Sequence, residues 1–198
     1  MIAELVNKVW RDNLTEPGFY WFDAGVLDSH QLRSKMIELA QAFEGFTFLS
    51  MARFDQQEDT KFHLDGGPPG NILILGYEPS KVKSRLYLAD HPCAANDLRV
   101  DPKTLVSKAM FGDDDTIKLY VTELPQPEEG RSYILFINNS ALLGVMHKAE
   151  IINPDPNERR IVNSIMLAAP HLGEPAGYTK EQQQEFIATD AISQKAYK

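Results

Sequence analysis

The chain has 198 residues, 43% of them hydrophobic and 24% charged, a balance that fits one packed domain and argues against a disordered or collagen-like chain. Its 28 acidic residues outnumber the 20 basic ones, so the formal charge of −8 repels a nucleic-acid backbone or an anionic membrane, and no local basic patch offsets it. The single cysteine, Cys93, excludes an intrachain disulfide.

Nothing in the pattern predicts a membrane span. The longest uncharged stretch, Tyr133 to His147, is broken by Asn138, Asn139 and Ser140 and falls short of the roughly 20 apolar residues a span needs. The start, Met1-Ile2-Ala3-Glu4-Leu5, lacks the basic residues and apolar run of a signal peptide, and with the lone thiol this predicts a soluble cytoplasmic protein.

Ile2, Leu5, Val6, Val9 and Trp10 recur at helical spacing and predict a short helix at the start. Leu32, Met36, Leu39, Ala40 and Phe43 predict a second over Asp28 to Phe43, with Asp28 as cap, Gln31 reaching back, and Gly45 just past the end. Then the texture changes. Thr47 to Phe54, Asn71 to Tyr77, Ser84 to Ala89, Thr116 to Thr122, Ser132 to Ile137, Gly144 to Ile152 and Arg159 to Ala168 are short and rich in β-branched and aromatic residues, with turn residues between them. Phe19 to Phe22 and Lys61 to Leu64 bring the predicted strands to about eight or nine, which suits a sandwich, barrel or jelly roll. Asp101-Pro102 predicts a helix running to Met110, and Thr179 to Lys195 a polar C-terminal helix. No repeat or linker divides the chain, so a single domain is expected.

Phe62-His63-Leu64-Asp65-Gly66-Gly67 carries the most chemistry. Residues two apart on a strand share a face, so His63 and Asp65 can converge on one cation, although for this segment alone an ordinary surface pair is the simpler reading. A second strand, Leu142 to Ala149, places His147 within apolar residues, and Arg159-Arg160 opens the apolar run Ile161 to Leu167, where a buried guanidinium needs an anion; taken singly, a satisfied core histidine and a surface salt bridge to Glu158 or Asp155 are the commoner readings. Other features read plainly. Asp90-His91-Pro92-Cys93 lacks a zinc spacing and reads as a loop, Asp113-Asp114-Asp115 reads as a solvated turn, and Ser140 has neither hydrolase context nor a phosphate loop near it.

The order of His-x-Asp, Gly-rich turn and apolar strand, distant His, and Arg about a dozen residues later resembles the Fe(II)/2-oxoglutarate-dependent oxygenases, with a broad layout like that of the prolyl hydroxylases, over roughly Thr47 to Leu167. The resemblance implies a mostly β fold, a double-stranded β-helix or jelly roll over about 47–168, preceded by a helical part over about 1–45 and followed by an extension over 169–198 that carries a C-terminal helix. It implies that His63, Asp65 and His147 bind Fe(II) as a two-histidine, one-carboxylate facial triad. Arg160, with Arg159 as second choice, would hold the distal carboxylate of 2-oxoglutarate, and Tyr77 would lie near that cosubstrate. Many members carry a hydroxyl residue two after the arginine, where this chain has Val162, with Ser164 two further on. The implied reaction consumes O2 and 2-oxoglutarate, releases succinate and CO2, and hydroxylates a small molecule or peptide. Arg53 and the Gly66 to Gly70 loop are the expected substrate contacts. A non-catalytic cupin or jelly-roll binding protein, and a cupin-type enzyme using metal without 2-oxoglutarate, stand as alternatives.

Overall fold

The computed structural model describes residues 2–170 and 177–193. Helix α1 (Ile2–Val9) buries Leu5 and Val9, strand β1 (Phe19–Gly25) follows, and α2 (Ser29–Ala40) starts on the predicted capping box. There Asp28 accepts from the Gln31 N–H at 2.8 Å, while the Gln31 side chain accepts from the Asp28 N–H at 3.0 Å. Then come β2 (Thr47–Asp55), β3 (Asn71–Tyr77), β4 (Ser84–Ala89), α3 (His91–Leu98) and α4 (Pro102–Met110). A 3-10 turn (Asp115–Tyr120) leads to β5 (Val121–Glu123), β6 (Ser132–Asn138), β7 (Met146–Ile151), β8 (Ile161–Ala168) and α5 (Lys180–Ala188).

The strands form two antiparallel sheets, a five-stranded one in the order β1-β6-β3-β8-β2 and a three-stranded one in the order β5-β4-β7. Strand alternation sorts the side chains into three cores. Leu73, Leu75, Leu135, Ile137 and Val162 of the large sheet meet Leu86, Leu88 and Ala149 of the small one. On the other face of the large sheet, Ile72, Ile74, Ile134, Phe136, Ile165 and Leu167 pack against residues of α1, α2 and α5. Ala89 and Met146 of the small sheet face outward onto Ala94, Ala95, Leu105, Ala109 and Ile117 from α3, α4 and the 3-10 turn.

That second apolar face on each sheet is why the fold is mixed rather than mostly β. A sheet that is apolar on both sides must be covered on both, and among the described residues five α-helices do the covering. Central strands β3 and β6 are buried at every residue, which is why they read as unbroken apolar runs. The exposed edge of β2 is covered by the C-terminal segment, where the N–H groups of Tyr178 and Ser193 donate to the carbonyls of Phe48 and Arg53 at 2.9 and 2.6 Å.

Four local expectations are corrected. Asp90 to Cys93 is the start of α3, because the Asp90 carboxylate caps it by accepting from the Cys93 N–H at 3.1 Å, with Pro92 in the first turn. Most of the Thr116 to Thr122 strand is the 3-10 turn, which drops Ile117 into the outer core, so only Val121–Glu123 pairs. Lys61 to Leu64 forms one bridge, at His63, since the Thr60 hydroxyl takes the place of a ladder carbonyl in accepting from the Ala149 N–H at 2.9 Å. The last helix ends at Ala188, short of the expected Lys195, where α5 is capped by the Thr189 N–H donating back to Glu185; residues 194 and 195 lie outside the described residues.

Candidate metal centre

His63 and His147 come together through the backbone. Each donates its N–H to the other's carbonyl, at 3.1 and 3.0 Å, and such a hydrogen-bonded antiparallel pair sets both side chains on one face. The imidazoles stand 4.2 Å apart between ring centroids, tilted by 49°. Asp65, two residues on, brings its Oδ1 to 3.7 Å from His63 Nε2. One ligand atom from each of His63, Asp65 and His147 lies within 4.8 Å of the other two.

The residues around this triad hold it in a ligating form. His63 Nδ1 lies 2.7 Å from the Lys61 carbonyl, so it carries a proton and leaves Nε2 as the ring nitrogen directed at Asp65. Burial, and then the neighbouring His63 ring, push the His147 pKa down to about 3, so this imidazole is neutral at pH 7. Its Nδ1 is buried and finds no hydrogen-bond partner among the described residues. Asp65 is fixed by its backbone: its N–H donates to Asn139 Oδ1 at 2.9 Å and its carbonyl accepts from Asn139 Nδ2 at 2.8 Å. Asn139 Nδ2 also donates to Asn71 Oδ1 at 2.7 Å, and both asparagines are buried.

The donor set fits a first-row divalent metal. Two ligands at right angles, each about 2.1 Å from a metal, stand about 3 Å apart, so the 3.7 Å separation of His63 and Asp65 needs only a small contraction. Two imidazoles and one carboxylate suit Fe(II), Mn(II), Co(II) or Zn(II) rather than the all-oxygen preference of Mg(II) or Ca(II).

The triad opens onto a cleft between the sheets of about 610 Å³, counting the space that opens to solvent. Its walls are mixed: Phe54, Leu75, Leu86, Leu135 and Val162 are apolar, and Gln56, Thr60, Tyr77, Tyr87, Lys148 and Ser164 add polar groups. Tyr77 is buried, which pushes its pKa up to about 12 and keeps the hydroxyl protonated.

Arg160 stands at the head of β8, buried, with its guanidinium 5.3 Å from the centre of the Tyr77 ring. Its Nε donates to Ser84 Oγ at 3.1 Å, and its Nη1 donates to the carbonyl and side-chain oxygens of Gln56 at 3.2 and 2.9 Å. Alternation along β8 places Arg160 with Val162 and Ser164 toward the space between the sheets, whereas Arg159 is exposed. Ser84 pairs with Ile151 and Leu88 with His147, so the arginine end lies about 13 Å along β7 from the triad at roughly 3.3 Å per residue.

Arg53 is not at this site. It lies on the opposite face of the large sheet, where Nε and Nη2 donate to the two Glu78 oxygens at 3.0 Å each and Nη1 donates to the Asp190 carbonyl at 2.8 Å. Alternation explains it, since Phe54 faces the cleft and its neighbour must turn away. The Gly66 to Gly70 loop directly follows Asp65, and at Gly67 a side chain would collide with Met166 Sδ and crowd Asn71. No motif or spacing points to Gln56, Ser84 or Asn139; Asn138-Asn139 reads only as the end of a strand.

Comparison of the sequence with protein-family models and with curated proteins finds no match.

Proposed function

We propose that this chain is an Fe(II)- and 2-oxoglutarate-dependent dioxygenase that hydroxylates a small-molecule or peptide substrate, with Fe(II) held by His63, Asp65 and His147. The observation that carries this reading is the meeting of those three side chains at the head of a cleft of mixed polar and apolar lining that runs toward Tyr77 and Arg160. Two imidazoles and one carboxylate form the set that leaves positions open for a chelating cosubstrate and O2. Strand order adds support: β2-β8-β3-β6 within the large sheet, and the His63 segment beside β7-β4-β5, follow the winding of a jelly roll, first strand beside last and second beside next to last.

When bound, the iron supplies O2 activation coupled to decarboxylation of the 2-oxo acid. The chain does the rest. Lys61 fixes the His63 tautomer through its carbonyl, Asn139 fixes Asp65, and Asp65 supplies the one anionic ligand. Phe54, Leu75, Leu86 and Val162 exclude water from the cleft, and protonated Tyr77 offers a hydroxyl. Arg160 provides the positive charge for a distal carboxylate.

A second reading, a metal protein that takes no dicarboxylate, is favoured by one observation: Arg160 already bonds Ser84 and Gln56. Spectroscopy and calorimetry separate the two. Anaerobic addition of 2-oxoglutarate to the protein with Fe(II) produces the weak visible band of a 2-oxo acid on ferrous iron, and Arg160→Lys weakens cosubstrate binding by about 1.5–3 kcal/mol while leaving Fe(II) affinity unchanged. No band and no binding by the wild type would favour the second reading.

A further inference from the structure

We infer that Gln56 is a built-in stand-in for the ligand carboxylate, occupying Arg160 until a dicarboxylate displaces it. This rests on the proposed function and names the residue that sets how selectively that site takes an anion. Gln56 leaves the end of β2, where its N–H donates to the Arg160 carbonyl at 3.0 Å, so the two residues are tied together by their backbones. Its side chain then reaches the guanidinium, with Oε1 2.9 Å from Arg160 Nη1. Gln56 and Tyr77 line the cleft, whereas Arg160 itself does not, so these two side chains form the wall between the cleft and the charge.

A carboxamide oxygen has the shape of a carboxylate oxygen without its charge. It satisfies Nη1 of the buried guanidinium, yet yields to a true anion, whose charge-assisted hydrogen bonds are roughly twice as strong. Ligand binding is therefore an exchange. The carboxylate gains only the difference between a charged and a neutral acceptor, and a neutral or monocarboxylate ligand that cannot reach Arg160 gains nothing there. Ser84, which accepts from Nε, keeps the guanidinium in plane during the exchange.

The substitutions give opposite signs. Gln56→Glu places a permanent carboxylate on Arg160, which competes with the ligand, while Gln56→Ala removes the competitor. With Mn(II) as a redox-inert metal, calorimetry on the full chain should show 2-oxoglutarate affinity at least tenfold lower in Gln56→Glu, and equal to or up to severalfold higher than wild type in Gln56→Ala. Gln56→Glu should also melt at or above the wild-type temperature, since it completes a charge pair, and this separates competition from damage to the fold. Wild-type affinity in Gln56→Glu, or a tenfold loss in Gln56→Ala, overturns the inference while leaving the dioxygenase reading intact. A wild type that binds Mn(II) but no 2-oxoglutarate overturns both.

Discussion

Replacing Asn139 by alanine tests whether the Asp65 carboxylate is placed by its backbone. The substitution removes the acceptor for the Asp65 N–H at 2.9 Å and the donor to the Asp65 carbonyl at 2.8 Å and to Asn71 Oδ1 at 2.7 Å. Asn71 and the removed side chain are both buried, so two or three polar groups lose their partners. At about 1–3 kcal/mol for each orphaned group, the stability loss is about 2–9 kcal/mol, partly recovered if water enters the gap. The effect on the metal is separate. With Asp65 no longer anchored, affinity for Co(II) should fall roughly 10- to 100-fold, the range for losing a partner that orients a ligand. Chemical denaturation measures the first quantity, and titration of the Co(II) visible bands measures the second. A variant of similar stability loss on the helical face of the large sheet, Leu39→Ala, serves as control and should leave Co(II) affinity unchanged. Equal Co(II) affinity in Asn139→Ala and Leu39→Ala would refute the reasoning.

His91 is fully buried, one ring nitrogen 3.1 Å from the Ala141 carbonyl, and burial pushes its pKa down to about 4. An unfolded histidine takes its proton near 6.5, so between about 6.5 and 4 the unfolded state holds more protons; stability falls as pH drops through that window and levels off below it, a loss of about 3 kcal/mol at most. His91→Phe should flatten that part of the stability profile measured by urea denaturation, whereas an unchanged slope would contradict the assignment. Glu78 faces Arg53 and Arg33 on the helical side of the large sheet and accepts from Asn163 Nδ2 at 3.0 Å. Its pKa is held below the usual value by its Arg53, Asn163 and Ser29 hydrogen bonds, which outweigh burial, so Glu78→Ala should cost about 3–5 kcal/mol in urea denaturation. Lys81→Ala, at an exposed pair with Glu158, should cost under about 1 kcal/mol, and similar costs for the two would contradict the burial argument.

The elements that the sequence revealed are those whose side chains face a single environment or lie wholly buried. Leu32, Met36 and Leu39 mark α2, and the apolar runs of Asn71 to Tyr77 and Ser132 to Ile137 mark the central strands, because burial on one face or both leaves a period or an unbroken run. Alternation along β8 separated Arg160 from Arg159, and their burial differs accordingly. The same rule applied at Phe54 would have turned Arg53 away from the cleft. Asp90 with Pro92 carries the signature read correctly at Asp101-Pro102, but the attention that His91 and Cys93 draw as metal-capable residues hides a plain helix start. The 3-10 turn was hidden because β-branched Thr116 and Ile117 favour strand locally, and only the outer core, built from distant residues, gives Ile117 its place. Within the candidate site, His63 and Asp65 were legible from spacing. That His147 bonds to His63 through the backbone, and that Asn139 and Gln56 reach Asp65 and Arg160, depends on pairings 74 to 104 residues apart in the chain, which no local pattern records.

The most direct measurement of the central claim is substrate-free turnover. Wild-type protein incubated aerobically with Fe(II), ascorbate and 2-oxoglutarate should release succinate slowly, because this half-reaction needs only the metal, the cosubstrate and O2. Asp65→Ala removes the one anionic member of the proposed triad and His147→Ala one of its two imidazoles, so both should reduce succinate to the level of Fe(II) without protein. Succinate formation at equal rates in all three proteins, or none from a wild type that binds Fe(II), would contradict the dioxygenase account.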